Sequence, residues 1–183
     1  MKKIILIIFL AALAFTASAQ VYLAKSCDIS FFSASVIENI EANNNSAKPV
    51  INTATNDVLI KVPITGFEFK SQMMQEHFNE NYMESDKFPF AIFKGKINET
   101  IDYSISDVCN KVTVTGNMNM HGVEKCIVIT GTLTVKDGQL LIDAKFNVRL
   151  SEYDIKVPSL YVKNIAEEVE VKLYATLEPY VKS

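Results

Sequence analysis

Histidine, carboxylate and cysteine side chains are the residues of this chain whose types and spacing could support chemistry. His77, Glu80 and Glu84 recur at i, i+3 and i+7, a spacing that lets such groups share a helix face and hold a metal ion. That design needs a second helix bringing matching ligands, because a metal shell takes several convergent donors. No second segment of this kind occurs, so the trio reads as a solvated helix face without metal. His121 precedes Gly122 in a turn-like stretch. A catalytic histidine needs a nucleophile and an orienting carboxylate, and no nucleophile-elbow motif accompanies it. It reads as a turn histidine that hydrogen-bonds locally. Gly116, Gly122 and Gly131 are too scattered for a phosphate-binding loop. Cys27, Cys109 and Cys126 form no C-x-x-C pair, and their odd number leaves at least one unpaired. These readings assign no catalytic residue, no metal site and no required cofactor.

Charge narrows the partners. The chain has 183 residues, with 18 Lys and Arg against 21 Asp and Glu, a net charge of −3. Arg149 is the only arginine, so bidentate recognition of phosphate is thinly supplied. A nucleic-acid partner is disfavoured, because it needs a basic face.

The N-terminus reads as an export leader. Lys2 and Lys3 precede an apolar run from Ile4 to Phe15, and Ala17, Ser18 and Ala19 follow with small side chains. This order predicts a signal peptide over 1–19, cut between Ala19 and Gln20. The apolar run is shorter than the roughly 20 residues a bilayer span requires, so no stable membrane span is expected. The rest, 20–183, is long enough for one domain with a sizeable core. It is expected to be exported, either periplasmic or secreted.

Period-two alternation dominates the remainder, the mark of strands with one apolar face. Val58, Ile60, Val62 and Ile64 share a face, as do Ile127, Ile129, Leu133 and Val135. Leu140, Ile142, Ala144, Phe146, Val148 and Leu150 make the longest stripe. Val169, Val171, Leu173, Ala175 and Leu177 repeat it. Met120–Val123 and Lys136–Gln139 place Gly122 and Gly138 where hairpin turns favour positive φ. A hairpin centred near His121 and Gly122 sets Cys126 opposite about Met118 and Cys109 opposite about Val135. Those two cysteines then lie roughly 30 Å apart, too far for a disulfide. Helical period appears from about 71 to 86, where Met74, Phe78 and Tyr82 recur on one face. Ser71 stands at the start as a cap, and Pro89 stops continuation. A second short helix is expected over 159–166. The fold class is mainly β: about eight antiparallel strands, closed as a barrel or packed as a sandwich, with one inserted helix.

Several runs resemble one known family. They are FEFKS from Phe67 to Ser71, MQEHFNENY from Met74 to Tyr82, SDKFP from Ser85 to Pro89, and AIFKGKI from Ala91 to Ile97. VTGNMNMHGV from Val114 to Val123 is similar to a G-x-L-T-x-H-G-V hairpin, and FNVRLSEYDI from Phe146 to Ile155 to the family's closing segment. Together they resemble the YceI-like family of exported bacterial proteins over roughly residues 50–178. The family's opening strand, D-x-x-H-S-x-I-x-F, is met here by SCDISF from Ser26 to Phe31, which lacks the histidine. The resemblance implies a lipocalin-like, eight-stranded antiparallel barrel holding an isoprenoid lipid, such as a polyprenyl quinone.

The expectation is therefore a lipid-binding barrel rather than an enzyme. Its pore lining is expected to include Phe93, Leu133, Leu140, Ile142, Phe146, Val171 and Leu173, with Met74 and Phe78 near one end. Two alternatives stand beside it. A barrel enzyme for small lipidic substrates needs a polar titratable cluster inside. A structural barrel has a filled core and an interaction surface.

Overall fold

Alternating apolar side chains along ten strands curl one sheet until its two edges meet. The computed structural model describes residues 20–34, 39–156 and 166–181. The expected leader, and the helix expected over 159–166 apart from Ala166, lie outside the described residues. The strands are β1 (Val21–Ser33), β2 (Ile40–Asn44), β3 (Lys48–Asn52), β4 (Asp57–Pro63) and β5 (Glu68–Phe69). After helix α1 (Gln72–His77) follow β6 (Phe90–Ile97), β7 (Cys109–Met120), β8 (Val123–Lys136), β9 (Gln139–Arg149) and β10 (Glu168–Pro179). All pairings are antiparallel, and β10 pairs with β1 to close the ring.

The ring has eight strands because β2 and β3 are halves of one, and β4 and β5, which pair with them, are halves of the next. Ile29 faces Asn44, and Val21 faces Asn52, so both halves keep a single register against β1. The break between them is held by Asn44, which is fully buried. Its Nδ2 donates to the Pro63 carbonyl at 2.8 Å, and its Oδ1 accepts the Ser46 amide at 2.8 Å. Below the break β3 pairs with β4; above it β2 pairs with β5. The apolar stripes of β9 and β10 meet in register inside the barrel: Val148 opposite Val169, Phe146 opposite Val171, Ala144 opposite Leu173, and Leu140 opposite Leu177.

Two hairpins turn on tight two-residue loops with positive φ at both positions, the geometry that matches strand twist. His121 and Gly122 have φ of 52° and 77°, and Asp137 and Gly138 have 49° and 73°. The closing pair of the first is Met120 and Val123. Cys126 consequently faces Asn117, and Cys109 faces Thr134. Each is one residue from the expected partner, because a two-residue loop centres between His121 and Gly122. A side chain at Gly122 would place its Cβ 2.6 Å from the Phe88 ring.

The helix is shorter than its period suggests. α1 ends at His77, and Phe78–Tyr82 forms a wider π turn closed by the Met83 amide on the Phe78 carbonyl at 2.9 Å. Glu84, at φ 43°, then leaves helical geometry well before Pro89. Ser71 occupies the N-cap in extended conformation, but its side chain makes no capping bond.

Candidate ligand-binding cavity

One end of the barrel is packed shut. Leu140 lies between Val135 and Leu177 in register, and Tyr22 joins them in the same core cluster. The β6–β7 loop adds Ile101 and Tyr103 to this layer. Tyr103 donates from its hydroxyl to Asn56 Oδ1 at 2.8 Å, and burial pushes its phenol up to about 12. The Asp107 amide donates to the Val135 carbonyl at 2.8 Å, which holds the loop down.

Beyond the floor a second buried cluster, which includes Met83, Tyr153 and Ile155, surrounds an interior that is only partly filled. A cavity of about 510 Å³ runs from this floor to the opposite end, within the usual range for ligand sites. β9 contributes Ile142, Ala144, Phe146 and Val148 to its wall, and β10 contributes Val169, Val171 and Leu173. Ile60, Val114, Ile142, Ala144, Phe146 and Val171 point inward yet remain only partly buried. In a filled core such side chains would be covered; here they face open space. Among the described wall residues there is no Asp, Glu, Lys or Arg, and the polar ones are Ser33, His77, Tyr82 and Thr132.

The mouth lies beside the short β2–β5 pairing. Helix α1 and its π turn cross it, with Met73, Met74, His77, Phe78 and Tyr82 on the wall. Phe78 anchors this lid against three rings, at centroid distances of 5.7 Å to Phe31, 5.5 Å to Phe67 and 4.9 Å to Phe69. Met73 is 63% exposed, so the cavity reaches solvent beside it. Ser33 at the same end has its hydroxyl engaged, accepting the Ala166 amide at 2.8 Å.

Of the residues expected in the lining, Phe93, Leu133, Ile142, Phe146, Val171, Leu173, Met74 and Phe78 stand on the cavity wall. Leu140 does not. Its side chain points inward but is wholly consumed in the packed floor, one rung below Ile142. Phe31, Phe67 and Phe69 belong to the mouth and were absent from the sequence-based lining. Phe67 and Phe69 sit at the two-residue β5, too short for alternation to orient, while Phe31 lies on β1, where interspersed polar residues and a bulge at Ala24–Ser26 blur the apolar face.

The residues considered for chemistry separate. The π turn takes Glu84 off the helical face of His77. Glu84 Oε2 instead lies 3.0 Å from Nε2 of His121, whose Nδ1 is 3.0 Å from the Tyr153 carbonyl. His121 therefore bonds across 37 and 32 residues of sequence, not locally as its turn position suggested. Among the described residues no three His, Cys, Asp or Glu side chains converge on a point. All three cysteines are free: Cys27 is buried, and Cys109 and Cys126 are exposed. No helix among the described residues is long and apolar enough to cross a membrane.

The YceI-like domain family matches the sequence over residues 19–177. No curated protein sequence matches the chain. Among solved structures, the chain is similar to a polyisoprenoid-binding domain from Saccharophagus degradans implicated in plant cell wall breakdown. The TM-score is 0.75 at 11% identity, covering 87% of this chain and 98% of the other. It is similar to BcnA of Burkholderia cenocepacia, with a TM-score of 0.68 at 16% identity over 82% and 95% of the two chains. The YceI protein of Campylobacter jejuni gives 0.62 at 15% identity over 80% and 88%. At these identities the likeness is one of fold.

Proposed function

We propose, because this chain belongs to the YceI-like domain family, that it is an exported lipid-binding protein that holds an isoprenoid chain, such as that of a polyprenyl quinone, for carriage or storage. The observation that carries this reading is the apolar cavity of about 510 Å³, floored at one end and open at the other. An elongated hydrocarbon inserted there gains roughly 25 cal/mol for each Å² removed from water. A polar ligand would strand its donors and acceptors against aliphatic walls, at about 1–3 kcal/mol each. The Saccharophagus relative, described as polyisoprenoid-binding, supports the same class of ligand. The interior cavity disfavours a filled structural barrel. The described wall offers no nucleophile paired with a base, which favours binding over catalysis, and binding of this kind requires no cofactor.

The decisive experiment is native mass spectrometry of the protein purified from its own host, followed by organic extraction. The expected result is one isoprenoid lipid per chain and a mature N-terminus at Gln20. A protein that emerges empty, and that after delipidation takes up no isoprenoid quinone, overturns the reading. A mature chain that retains Met1 to Ala19 overturns export.

A further inference from the structure

The cavity has one floor and one mouth, and that asymmetry orients whatever enters. From Ile142 near the floor β9 climbs seven residues to its end at Arg149, with Leu150 just beyond it still on the cavity wall. At about 3.3 Å per residue and a barrel tilt near 40°, this gives a depth of about 20 Å. A chain longer than that threads its apolar tail to the floor and leaves its polar end at the mouth.

Among the described residues the mouth offers that end little to bond. The Ser33 hydroxyl already accepts the Ala166 amide. His77 differs. It stands on the wall at the last position of α1, exposed, with no hydrogen bond or ion pair to another described residue. Its ring has both donor and acceptor capacity to give. Around it the rim is acidic. The segment 70–82 carries Glu76 and Glu80 against a single lysine, Lys70, and no arginine. Glu84 follows, paired at the rim with His121 and, at 4.0 Å, with Lys87. Arg149 lies on the outer strand face, 3.4 Å from Glu168.

We propose that His77 is the head-group contact of this cavity, hydrogen-bonding the polar end of a bound isoprenoid, and that the acidic rim makes the accepted head an uncharged carbonyl or hydroxyl rather than a phosphate. The proposal rests on the isoprenoid reading above. An uncharged oxygen gains a hydrogen bond from the imidazole without penalty from the neighbouring carboxylates. A phosphate meets like charge from Glu76 and Glu80 and no bidentate partner.

The test uses the delipidated full chain and three probes of matched chain length, scored by competition in native mass spectrometry: a headless isoprenoid hydrocarbon, a polyprenyl quinone and a polyprenyl phosphate. His77 is exposed and unbonded, so its variants are expected to fold. His77→Leu should weaken the quinone about three- to tenfold, the worth of one hydrogen bond, and leave the hydrocarbon unchanged. His77→Gln should restore most of the loss. The phosphate should bind the unsubstituted protein at least about tenfold more weakly than the quinone. Equal loss of hydrocarbon and quinone in His77→Leu would reduce His77 to a wall residue and overturn the proposal. So would phosphate binding as tight as quinone. Failure of all three probes, the hydrocarbon included, would instead overturn the isoprenoid reading and this proposal with it.

Discussion

His121 Nε2 lies 3.0 Å from Glu84 Oε2, and this one contact ties the β7–β8 turn to the segment that leaves the lid. The other ring nitrogen faces the Tyr153 carbonyl at 3.0 Å. A carbonyl and a carboxylate are both acceptors, so whichever ring nitrogen carries a proton has an acceptor in front of it. Phe88 packs edge-on against it at 4.8 Å, and the histidine side chain is only 9% exposed. Replacing His121 with Ala should cost about 1–3 kcal/mol, because the Tyr153 carbonyl loses its partner. Glu84→Gln should cost less, below about 1 kcal/mol, because the carboxylate is half exposed and screened. Chemical denaturation of both variants checks the order. Equal stability of His121→Ala and the parent would show that the clasp contributes nothing.

Leu140 and Phe146 share a strand face but should respond differently to truncation. Leu140 is fully buried in the floor, and Leu140→Ala should destabilise by about 2–5 kcal/mol. Phe146 already borders open space, and Phe146→Ala should cost distinctly less. Thermal melts of the two variants decide it, and a reversed order would mean that the floor, not the wall, is the loosely packed layer.

Phe146→Asp should leave a folded barrel, since a carboxylate there can be hydrated by cavity water, and should abolish uptake of an isoprenoid quinone. Circular dichroism and a binding titration read the two effects separately. Undiminished uptake would place the ligand elsewhere on the protein.

Phe78 holds the lid by ring contacts while remaining partly exposed. Phe78→Ala should cost about 2 kcal/mol, less than a fully buried ring would, and should speed ligand release. A dissociation rate indistinguishable from that of the parent would argue that chains leave by another route.

The three thiols should react in two classes. Burial, with a smaller contribution from Asp28, pushes Cys27 up to about 11. The thiolate is the nucleophile, so Cys27 stays neutral and slow at pH 8 and gains reactivity only as pH approaches that value. Cys109 and Cys126 are exposed and should alkylate first. Cys109 faces Thr134 while Cys126 sits eight positions earlier on the same strand, about 26 Å away. Peptide mapping under oxidising conditions should therefore find no Cys109–Cys126 link within one chain. Finding that link would overturn the hairpin register.

Strands that run long and alternate were readable directly. The apolar stripes of β8, β9 and β10 alternate over nine to eleven residues, and the hairpin loops announce themselves by Asp137–Gly138 and His121–Gly122. Period alone, however, does not count turns. Met74, Phe78 and Tyr82 are spaced for a continuous helix, but a π turn and the left-handed Glu84 shorten it. Both depend on contacts with distant segments. Leu140 looked like lining because alternation reports the inward side and says nothing about depth; the neighbours that fill its level come from β8 and β10. The β2–β3 break was invisible for the same reason. Asn44 becomes a strand-splitting residue only where the Pro63 carbonyl arrives beside it.

That split strand has a kinetic meaning. Above the break, the joint between β2 and the rest of the wall rests on two register pairs with β5, Ala42 with Phe69 and Asn43 with Glu68, whereas β7 and β8 share twelve. Cooperative protection follows the number of bonds that must open together. Amide protons near 42–43 and 68–69 should exchange with deuterium well before those of the β7–β8 hairpin. The barrel would then breathe along one line of its circumference, beside the lid, while the floor at Leu140 stays closed.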